Sequence, residues 1–524
     1  MATPTQAGRP AGVTTAPADG TRIDQVLSRA AERAPDRTAI RSGTEQYSYA
    51  ELDGWTDRCA SLVRELTGDS PAVVAVAGIM DPAFAALFFG ISRAGSVSAI
   101  VNPYLPADRL AHVLATSGAR LAVLTPQMHR RLREVRERVS TLDTVVLTGP
   151  DEEPDPAGEE LPTLRALLDT VTAEPITVPA ERDAVACLQF TSGTTGAAKA
   201  VRLSHHNLTV NAAQTVSVHR LDETAVVFNC LPTFHLMHLT MAATAAAVHV
   251  LWPEDDPVAS IEAADRLRAT HYYSLPLRLS RLATDRRLTR LEAPALRAIF
   301  SGGSSLPVSA SLALAQQFGV PVVQGYGLAE TSPSMHLGSP ERPKAGSCGQ
   351  VVPGGESRIV DIGSGSELPP GSRGEIQVRG PQLMLGYLGR DLSQDVDADG
   401  WFSTGDVGYL DDEGFLFWVD RIKDTFKCDN WLVSPTEIER VLLKHPAVTD
   451  CVVFDLPDEF RGAVACAMVV TGADPAEIAK TVNRGLPYYE QLSRIEVVDA
   501  IPRSPTGKVE RRRLRDRLLG RADA

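Results

Sequence analysis

Short apolar runs rich in β-branched residues alternate with longer helical patterns along most of the chain. The first run, at residues 73–76, predicts a buried strand, and Asp81 and Pro82 then supply the N-cap and first residue of an apolar helix through Arg93. The strand pattern recurs at 98–101, 121–124, 144–147, 185–190, 226–231, 272–275, 296–300 and 320–324. This alternation predicts an α/β fold with largely parallel sheets flanked by helices.

The pattern changes near Asp420. Ser434 and Glu437 have the spacing of a capping box, with Pro435 at the first helical position. Apolar residues then recur at helical spacing at Ile438, Val441 and Leu442. Strands are predicted at 451–454, 463–470 and 495–498, and a helix begins at Asp474. Together these elements predict a compact, small α+β domain of roughly a hundred residues.

The chain of 524 residues is too long for one ordinary core, so at least two domains are expected. We predict a large N-terminal domain at 21–420 and a C-terminal domain at 425–524, with the boundary at 421–424. Residues 1–20 are rich in Ala, Thr, Pro and Gly, which predicts a disordered lead-in.

Net charge and cysteine usage narrow the class of protein. The formal charge of −13 argues against a general nucleic-acid or anionic-membrane binder. The seven cysteines are scattered without a CxxC pair, which is poor for a disulfide framework or zinc site and suits a reducing cytoplasm. The N-terminus lacks a signal-peptide pattern, and no uninterrupted apolar run approaches membrane-spanning length. We therefore expect a cytoplasmic protein without nucleic-acid or membrane partners.

The strongest local motif is a run of small and hydroxyl residues that ends in a lysine, directly after the strand predicted to end at Phe190. Its members are Thr191, Ser192, Gly193, Thr194, Thr195, Gly196, Ala197, Ala198 and Lys199. Small residues let the backbone approach a polyphosphate, and the hydroxyls, amides and lysine can donate to it. The run does not satisfy the Walker A pattern. A solvated linker is the alternative, but the preceding buried strand and the terminal lysine favour a phosphate site.

This motif resembles the phosphate-binding loop of the adenylate-forming superfamily, which contains acyl- and aryl-CoA synthetases, peptide-synthetase adenylation domains and luciferases. Further segments resemble that superfamily in the same order as far as Lys508, and the spacing is most similar to coumarate-CoA-ligase-like members. The resemblance implies a large core domain with a small mobile C-terminal domain. It also implies ATP and Mg²⁺ as cofactors and activation of a small acid as its adenylate.

The resemblance assigns nucleotide contacts residue by residue. Tyr326 would stack on adenine, Asp406 would accept from the ribose hydroxyls, and Arg421 would contact ribose or phosphate. Glu330 matches the magnesium-binding glutamate of the superfamily. The other implied nucleotide contacts are Gly303, Ser304, Ser305, Gln324, Gly325, Gly327 and Lys427, together with the loop of Thr191, Ser192, Gly193, Thr194, Thr195 and Gly196.

Lys199, Glu330 and Lys508 are the implied catalytic residues. The acid's carboxylate and the α-phosphate of ATP are both anionic, so positive charge must offset their repulsion as pyrophosphate leaves. One well-placed donor of this kind is worth roughly 3 kcal/mol of barrier. The superfamily's hinge falls at Lys423 and Asp424, so rotation there would deliver Lys508 and withdraw it.

The implied acid pocket is lined by His235, Leu236, Met237 and His238, together with Gly325, Pro333 and Ser334. Methionine and leucine suit a flat aromatic or a medium acyl group. His238 can hydrogen-bond a ring hydroxyl or amine, and a structural role for this histidine stays open. We expect a benzoate- or cinnamate-type acid as substrate.

The chain departs from the superfamily pattern at the expected passage for coenzyme A. Asn430 stands where CoA ligases have a glycine, and Leu432 replaces a polar residue that contacts the nucleotide. Asparagine tolerates left-handed backbone, so the exchange is either harmless or alters CoA access. A smaller departure is Ala329, which replaces a phosphate-contacting threonine.

CoA is the default acceptor in this interpretation. The second hypothesis is an adenylate-forming enzyme with a different nucleophile as acceptor, notably an ATP-dependent diazotase that activates nitrite for attack by an aminoaryl acid. A third hypothesis is a catalytically silent nucleotide-binding scaffold, against which the charged residues retained at Lys199, Glu330, Asp406, Arg421 and Lys508 argue.

Overall fold

A computed structural model describes residues 21–149, 161–179, 181–191, 198–232, 235–429, 431–503, 509 and 511–519. Several sequence predictions lie outside the described residues. These are the lead-in at 1–20, the loop residues Ser192, Gly193, Thr194, Thr195 and Gly196, the exchange at Asn430 and the lysine at Lys508.

The described residues form fourteen α-helices. They are α1 Ile23–Arg33, α2 Tyr49–Thr67, α3 Pro82–Arg93, α4 Ala107–Ser117, α5 Pro126–Arg133, α6 Leu164–Thr170, α7 His205–His219, α8 Met237–Ala245, α9 Pro257–Arg266, α10 Pro276–Thr284, α11 Val308–Phe318, α12 Pro435–Leu442, α13 Pro475–Asn483 and α14 Arg511–Leu518. None of these helices is both long and apolar enough to cross a lipid bilayer.

The strands in the same part of the chain are β1 Thr38–Ser42, β2 Glu45–Ser48, β3 Val73–Ala77, β4 Val97–Val101, β5 Leu121–Leu124, β6 Thr144–Leu147, β7 Val185–Phe190, β8 Ala200–Ser204, β9 Val226–Asn229, β10 Val248–Leu251, β11 His271–Ser274, β12 Ala298–Ser301, β13 Val322–Gly327, β14 Ser334–Leu337, β15 Gln350–Val351, β16 Glu356–Val360, β17 Gly374–Arg379, β18 Phe402–Leu410, β19 Leu416–Arg421, β20 Phe426–Cys428, β21 Trp431–Val433, β22 Val448–Asp458, β23 Gly462–Thr471 and β24 Leu492–Val497.

Two compact units emerge from these elements. The first unit contains the chain up to Glu356 together with Arg379–Gly400, and the second contains Ser357–Val378 and the chain from Trp401 onward. The domain boundary predicted at 421–424 stays a prediction.

The first unit is built on two sheets. One has the order β15-β14-β13-β12-β11-β9-β10-β1-β2 and the other β6-β5-β3-β4-β7-β8. The pairings from β13 through β10 to β1 and from β6 to β7 are parallel, whereas β2, β8, β14 and β15 pair antiparallel at the sheet edges. The predicted α/β class with largely parallel sheets is therefore confirmed.

Helix starts in the first unit follow local side-chain chemistry. Asp81 caps α3 as predicted, because its carboxylate accepts from the backbone N–H of Ala83 at 2.7 Å. Ser48 and Glu51 form a full capping box at the start of α2, which the sequence analysis did not predict. Such a cap satisfies backbone donors that have no partner within the helix.

Several predicted strands differ from the structure at their ends, and two of the differences have a local cause. The strand predicted at 226–231 stops at Asn229, because the Asn229 side-chain oxygen accepts from the N–H of Leu231 at 2.9 Å and turns the chain. The strand predicted from residue 320 begins at Val322, directly after Pro321, which has no N–H to donate to a sheet.

The second unit holds a sheet of order β16-β17-β18-β19 and another of order β21-β20-β23-β22, with β24 on β23. Only half of the capping box predicted for α12 forms. Ser434 accepts from the N–H of Glu437, as expected. The Glu437 carboxylate is instead bonded to Arg373, a long-range partner that no local pattern could reveal.

Candidate active site

The predicted phosphate loop connects two antiparallel neighbours in the six-stranded sheet. Strands β7 and β8 pair with Phe190 opposite Ala200. The N–H of Thr191 donates to the Lys199 carbonyl at 3.0 Å, and the N–H of Lys199 approaches the Thr191 hydroxyl at 3.3 Å. The two ends of the loop are therefore held together by hydrogen bonds between its first and last residues.

Lys199 and Glu330 meet through Tyr387. The Lys199 Nζ lies 4.4 Å from the centroid of the Tyr387 ring, a cation–π distance. The Tyr387 hydroxyl donates to Glu330 Oε1 at 2.7 Å. A cation and a carboxylate that are far apart in the chain are thus brought to the two sides of one buried tyrosine.

The sequence analysis missed Tyr387. Its segment pairs with β8: Tyr387 bridges Val201, and the N–H of Arg202 donates to the Gly386 carbonyl at 3.0 Å. Gly386 has φ +108, which favours glycine, so a glycine directly before an aromatic residue was the only available signal. Burial, followed by the neighbouring Glu330 carboxylate, raises the pKa of Tyr387, so the hydroxyl stays a hydrogen-bond donor.

The predicted adenine segments lie at the carboxyl ends of adjacent parallel strands. Ser301 ends β12 and stands opposite Gln324 on β13. Ligands of α/β sheets commonly bind at this edge. The Gln324 side-chain oxygen accepts from the N–H of Leu306 at 2.7 Å, so this side chain fastens the loop that carries the exposed Gly303, Ser304 and Ser305.

Tyr326 lies opposite His336 in the antiparallel pair of β13 and β14, with ring centroids 6.3 Å apart. Gly327 is required by packing, because a Cβ there would lie 1.7 Å from the Pro333 carbonyl oxygen. A Cβ on Gly325 would lie 2.9 Å from the side chain of Leu337. The two glycines let β14 approach β13 closely.

Two predicted pocket residues are in direct contact. The Ser334 hydroxyl donates to the sulfur of Met237, the first residue of α8, at 2.9 Å. Leu236, which precedes Met237 in the chain, is buried, whereas His235 is exposed.

His238 is 3% exposed, and among the described residues neither of its ring nitrogens has a hydrogen-bond partner. Its ring meets the Tyr273 ring edge-on at a centroid distance of 4.9 Å. Burial, followed by the charge of His249, lowers the pKa of His238 well below its ordinary value, although the backbone of His235 opposes this shift. His238 is therefore a neutral imidazole with donor and acceptor capacity left over.

Two further buried polar groups lie at the carboxyl ends of strands in the nine-stranded sheet. Asn229 Nδ2 and Ser301 Oγ have no hydrogen-bond partner within the described ranges of the chain. Buried polar atoms of this kind call for an explanation, such as a ligand or ordered water.

In the second unit, Asp406 and Arg421 are register partners on β18 and β19. Arg421 Nε lies 3.4 Å from Asp406 Oδ1, and only 4% of the Asp406 side chain is exposed. The N–H of Gly405 donates to Glu375 at 3.2 Å. Burial raises the pKa of Glu375, and the charge of Asp406 adds to that shift.

The predicted hinge residues follow β19 in a tight turn, where the N–H of Asp424 donates to the Arg421 carbonyl at 2.9 Å. Burial lowers the pKa of the Lys423 amine, with Arg421 contributing, and burial raises the pKa of the Asp424 carboxyl. Lys427 lies exposed on β20, opposite Leu432.

The acidic groups fit a magnesium ion held mainly by a nucleotide. The described residues contain no group of three or more His, Cys, Asp or Glu side chains placed to hold a metal. Magnesium, however, is usually bound by one or two carboxylates together with substrate phosphates and water. Glu330, beside the base of the predicted phosphate loop, provides such a single carboxylate.

Two family models match most of the chain. Residues 27–388 match the family model described as AMP-binding enzyme, and residues 437–508 match AMP-binding enzyme C-terminal domain. The chain is 32% identical to 4-coumarate–CoA ligase 5 of Oryza sativa subsp. japonica, over 94% of both chains.

Solved structures are similar over nearly the whole chain. The anthranilate CoA ligase AuaEII in complex with anthranoyl-AMP has a TM-score of 0.86 at 22% identity, covering 96% of this chain and 98% of that one. The amide bond synthetase Mcba from Marinactinospora thermotolerans has a TM-score of 0.82 at 26% identity, covering 95% of this chain and all of that one.

Proposed function

We propose a specific two-step reaction for this chain, which belongs to the AMP-binding enzyme family and is an adenylate-forming ligase. In the first step, a carboxylate oxygen of an aromatic or cinnamate-like acid attacks the α-phosphorus of ATP, and pyrophosphate leaves. In the second step, the thiol sulfur of CoA attacks the acyl carbon of the adenylate. A thioester forms, AMP leaves, and the thiol proton passes to solvent.

The contact between Lys199, Tyr387 and Glu330 is the observation that carries this proposal. It supports a site in which the cation faces phosphate oxygens while the carboxylate holds magnesium. When bound, the ion would supply positive charge to the leaving pyrophosphate. The Tyr387 hydroxyl orients Glu330, and its ring fixes the position of the lysine.

The nucleotide contacts are proposed residue by residue, as the family resemblance implies. Tyr326 and the loop of Gly303, Ser304 and Ser305 would bind adenine in the first unit. Asp406 and Arg421, in the second unit, would bind the ribose. The 3.4 Å distance between Arg421 Nε and Asp406 Oδ1 supports this role, because the two side chains are already oriented by each other. Lys508 would neutralise charge during adenylation, and rotation about Lys423 and Asp424 would withdraw it for the second step.

Three observations support an aromatic acid. Met237 and Ser334 pack together where the pocket is proposed, and methionine adapts well to flat rings. The partnerless imidazole of His238 suits a hydroxyl or amino substituent on the ring. The similar 4-coumarate–CoA ligase is named for an acid of this type.

Asn430 supports a second candidate, in which the adenylate or its equivalent goes to an acceptor other than CoA. An asparagine side chain would project where CoA ligases have none. The similar Mcba protein is named as an amide bond synthetase, and an amide is a product other than a thioester. One reaction of this kind is diazotisation, in which the amine of an aminoaryl acid attacks activated nitrite.

Mass spectrometry of reaction products tests both candidates. The enzyme is mixed with Mg-ATP and a panel of benzoates, cinnamates and their amino derivatives, each with CoA, with nitrite and with neither. A CoA-dependent thioester with AMP is expected. A nitrite-dependent diazo product without thioester would replace CoA ligation with diazotisation. Absence of AMP and pyrophosphate with every acid would instead support the nucleotide-binding scaffold.

A further inference from the structure

Two buried polar side chains of the nine-stranded sheet have no part in the function proposed above. Asn229 ends β9, and its register partner on β11 is Tyr273. His249 on β10 pairs with Val227, which lies two residues before Asn229 on β9. Register partners and residues two apart in a strand share a face of the sheet, so Asn229, His249 and Tyr273 lie on the same side. The Cα atoms of Asn229 and His249 are about 8 Å apart, because strands are spaced by about 4.8 Å and rise about 3.3 Å per residue.

His238 lies on this face as well. Its ring meets Tyr273 edge-on at a centroid distance of 4.9 Å. Burial, followed by the charge of His249, lowers the pKa of His238, so the two imidazoles are within electrostatic range of each other. In the strand order β11-β9-β10, a ring that is near both Tyr273 and His249 lies over β9, the strand that ends at Asn229. The three polar side chains therefore form one group, which is named the polar cluster below: Asn229, His238 and His249.

The predicted acid pocket lies on the same face of the sheet. Met237 precedes His238 at the start of α8, and its sulfur accepts from the hydroxyl of Ser334, another predicted pocket residue, at 2.9 Å. Met237 also packs against a hydrophobic core cluster that includes Val227 and Tyr273. The polar cluster is thus adjacent to residues that would surround the ring of the acid.

The hydrogen-bonding capacity of the polar cluster is largely unused across the ranges that the structure describes. Asn229, His238 and His249 are 0%, 3% and 2% exposed, and within those ranges Asn229 Nδ2 and all four ring nitrogens have no partner. Asn229 Oδ1 accepts from the N–H of Leu231 at 2.9 Å, which fixes the amide orientation and leaves Nδ2 as a donor. Burial lowers the pKa of His249 to about 3, so this ring is neutral. The cluster therefore offers an amide donor and, on each ring, one donor and one acceptor.

We propose that Asn229 and His249, together with His238, determine substrate specificity by binding a hydroxyl group on the ring of the aromatic acid. Asn229 Nδ2 donates to the hydroxyl oxygen, and the hydroxyl donates to a ring nitrogen of His249 or His238. This inference rests on the proposed function, in which an aromatic acid is adenylated.

A hydroxyl group matches the polar cluster in both charge and hydrogen bonding. It is neutral, whereas a second carboxylate would be buried beside neutral imidazoles without a cation in the cluster, at a large desolvation cost. It accepts and donates at one oxygen, as an amide donor and an imidazole acceptor require. An acid without the hydroxyl would leave buried donors unpaired, and sites of this kind discriminate strongly against such analogues.

The experiment measures kcat/KM for pyrophosphate release with Mg-ATP and unsubstituted, hydroxy- and methoxy-substituted benzoates and cinnamates. Wild type should prefer its best hydroxy acid over the unsubstituted parent by at least about tenfold. His249→Leu removes one partner of the hydroxyl and should reduce that ratio at least about threefold. General damage lowers kcat/KM for both acids together, so the ratio reports recognition rather than folding.

Asn229→Asp tests the amide donor separately. The aspartate keeps an oxygen that can accept from the N–H of Leu231, but it replaces the Nδ2 donor with an acceptor. A methoxy group only accepts, whereas a hydroxyl can also donate to the aspartate. The ratio of kcat/KM for hydroxy over methoxy acid should therefore rise at least about threefold in this variant. If Asn229→Asp does not fold, the ratio in His249→Leu decides alone.

Ser98→Ala is the matched control. Ser98 on β4 is 0% exposed, and its hydroxyl has no partner among the residues described, but it belongs to the six-stranded sheet. Ser98→Ala should keep both the hydroxy preference and the rate within about twofold of wild type. The melting temperature should not fall in Ser98→Ala or His249→Leu, since neither substitution removes a hydrogen bond of the described residues. A destabilised His249→Leu would mean that the ring is satisfied inside the protein, which overturns the specificity role.

The remaining outcomes separate this inference from the proposed function. Wild type that adenylates hydroxy and unsubstituted acids equally, or His249→Leu with the wild-type ratio, overturns the specificity role and leaves adenylation intact. Wild type that forms no adenylate with any acid overturns the proposed function and the specificity role together.

Discussion

Buried polar side chains differ between two regions of the molecule in whether they have hydrogen-bond partners. One region is the proposed acid pocket of the first unit, and the other surrounds Asp420 in the second unit. In the first unit, His238 of the pocket and Ser301 at the end of β12 are buried without a hydrogen-bond partner in the part of the chain that the structure describes.

In the second unit, the Asp420 side chain is 1% exposed, and its carboxylate accepts from the Ser434 hydroxyl at 2.8 Å and from the N–H of Thr436 at 3.0 Å. The neighbouring Arg511 donates to Glu439 Oε2 at 2.7 Å. Both regions contain buried polar side chains, but only in the second unit do other residues of the chain satisfy their hydrogen-bonding capacity.

The difference indicates a division of labour. A site that binds a ligand has donors and acceptors without partners in the unbound protein, and these unsatisfied groups lower the free energy of unfolding. A region that positions a catalytic side chain must hold it in one conformation. Paired, buried charges restrict the number of conformations that the surrounding side chains can adopt. On this interpretation the first unit recognises substrate, and the second unit positions a cation for the reaction.

The largest expected effect is on stability in acid, and it separates the two units. Burial holds the pKa values of several first-unit histidines at about 3 or about 4; they are His205, His219, His249, His271 and His336. Their unfolded forms bind more protons below about pH 6.5, so each can remove up to about 1.4 kcal/mol of stability per pH unit as the pH falls.

In the second unit, burial raises the pKa values of Glu439 and Glu490. Groups with a raised folded pKa favour the folded state below their unfolded pKa and lose that contribution as the pH rises. Hydrogen exchange measured from pH 7 to pH 4.5, corrected for intrinsic rates, should therefore show first-unit strands opening before β22 and β23. Earlier opening of the second unit would contradict the comparison.

The next largest effect concerns the cation that the second unit is proposed to supply. Lys508→Ala should slow adenylate formation by about 10² to 10³, the loss typical of one preorganised donor, because negative charge on the leaving group is no longer offset. ATP binding, measured by calorimetry, should be nearly unchanged. An adenylation rate close to wild type would mean that the second unit does not provide the reacting cation.

A smaller effect is expected at Tyr387. Tyr387→Phe keeps the ring beside Lys199 but removes the donor to Glu330, a charge-assisted bond worth about 1.5–3 kcal/mol. We expect kcat/KM for Mg-ATP to fall at least about tenfold. Tyr409→Phe is the control, since that ring stacks on Phe417 in the second unit at 4.9 Å. Equal effects of the two variants would remove Tyr387 from the site.

The smallest effect tests the partnerless histidine. His238→Phe should raise the free energy of unfolding by about 1 kcal/mol, because an unsatisfied buried polar ring is removed. It should also reduce the preference for hydroxy- or aminoaryl acids over unsubstituted ones. His271→Phe is the control and should destabilise, since His271 bonds Thr270 at 2.8 Å and the His219 carbonyl at 3.1 Å. A destabilised His238→Phe would mean that this ring is satisfied after all.

Local pattern was sufficient for much of the first unit. The strands at 121–124, 144–147 and 185–190 have the predicted bounds. The fully buried strand at 121–124 is a continuous apolar run, as expected of an inner strand in a parallel sheet. The strand that ends at Phe190, directly before the predicted phosphate loop, was also predicted correctly, whereas strand β8 after Lys199 was not predicted. Family motifs added Glu330 and Asp406, whose roles stay predictions.

By itself, then, the sequence determined the α/β class, the family and the order of the candidate motifs, since these depend on residues close together in the chain. Only the tertiary structure joined Lys199 to Glu330 through Tyr387, exchanged the Glu437 cap for Arg373 and brought Arg511 to Asp420. These contacts depend on which strands become neighbours, and a repeat of 2 or 3.6 residues carries no information about pairing across hundreds of residues.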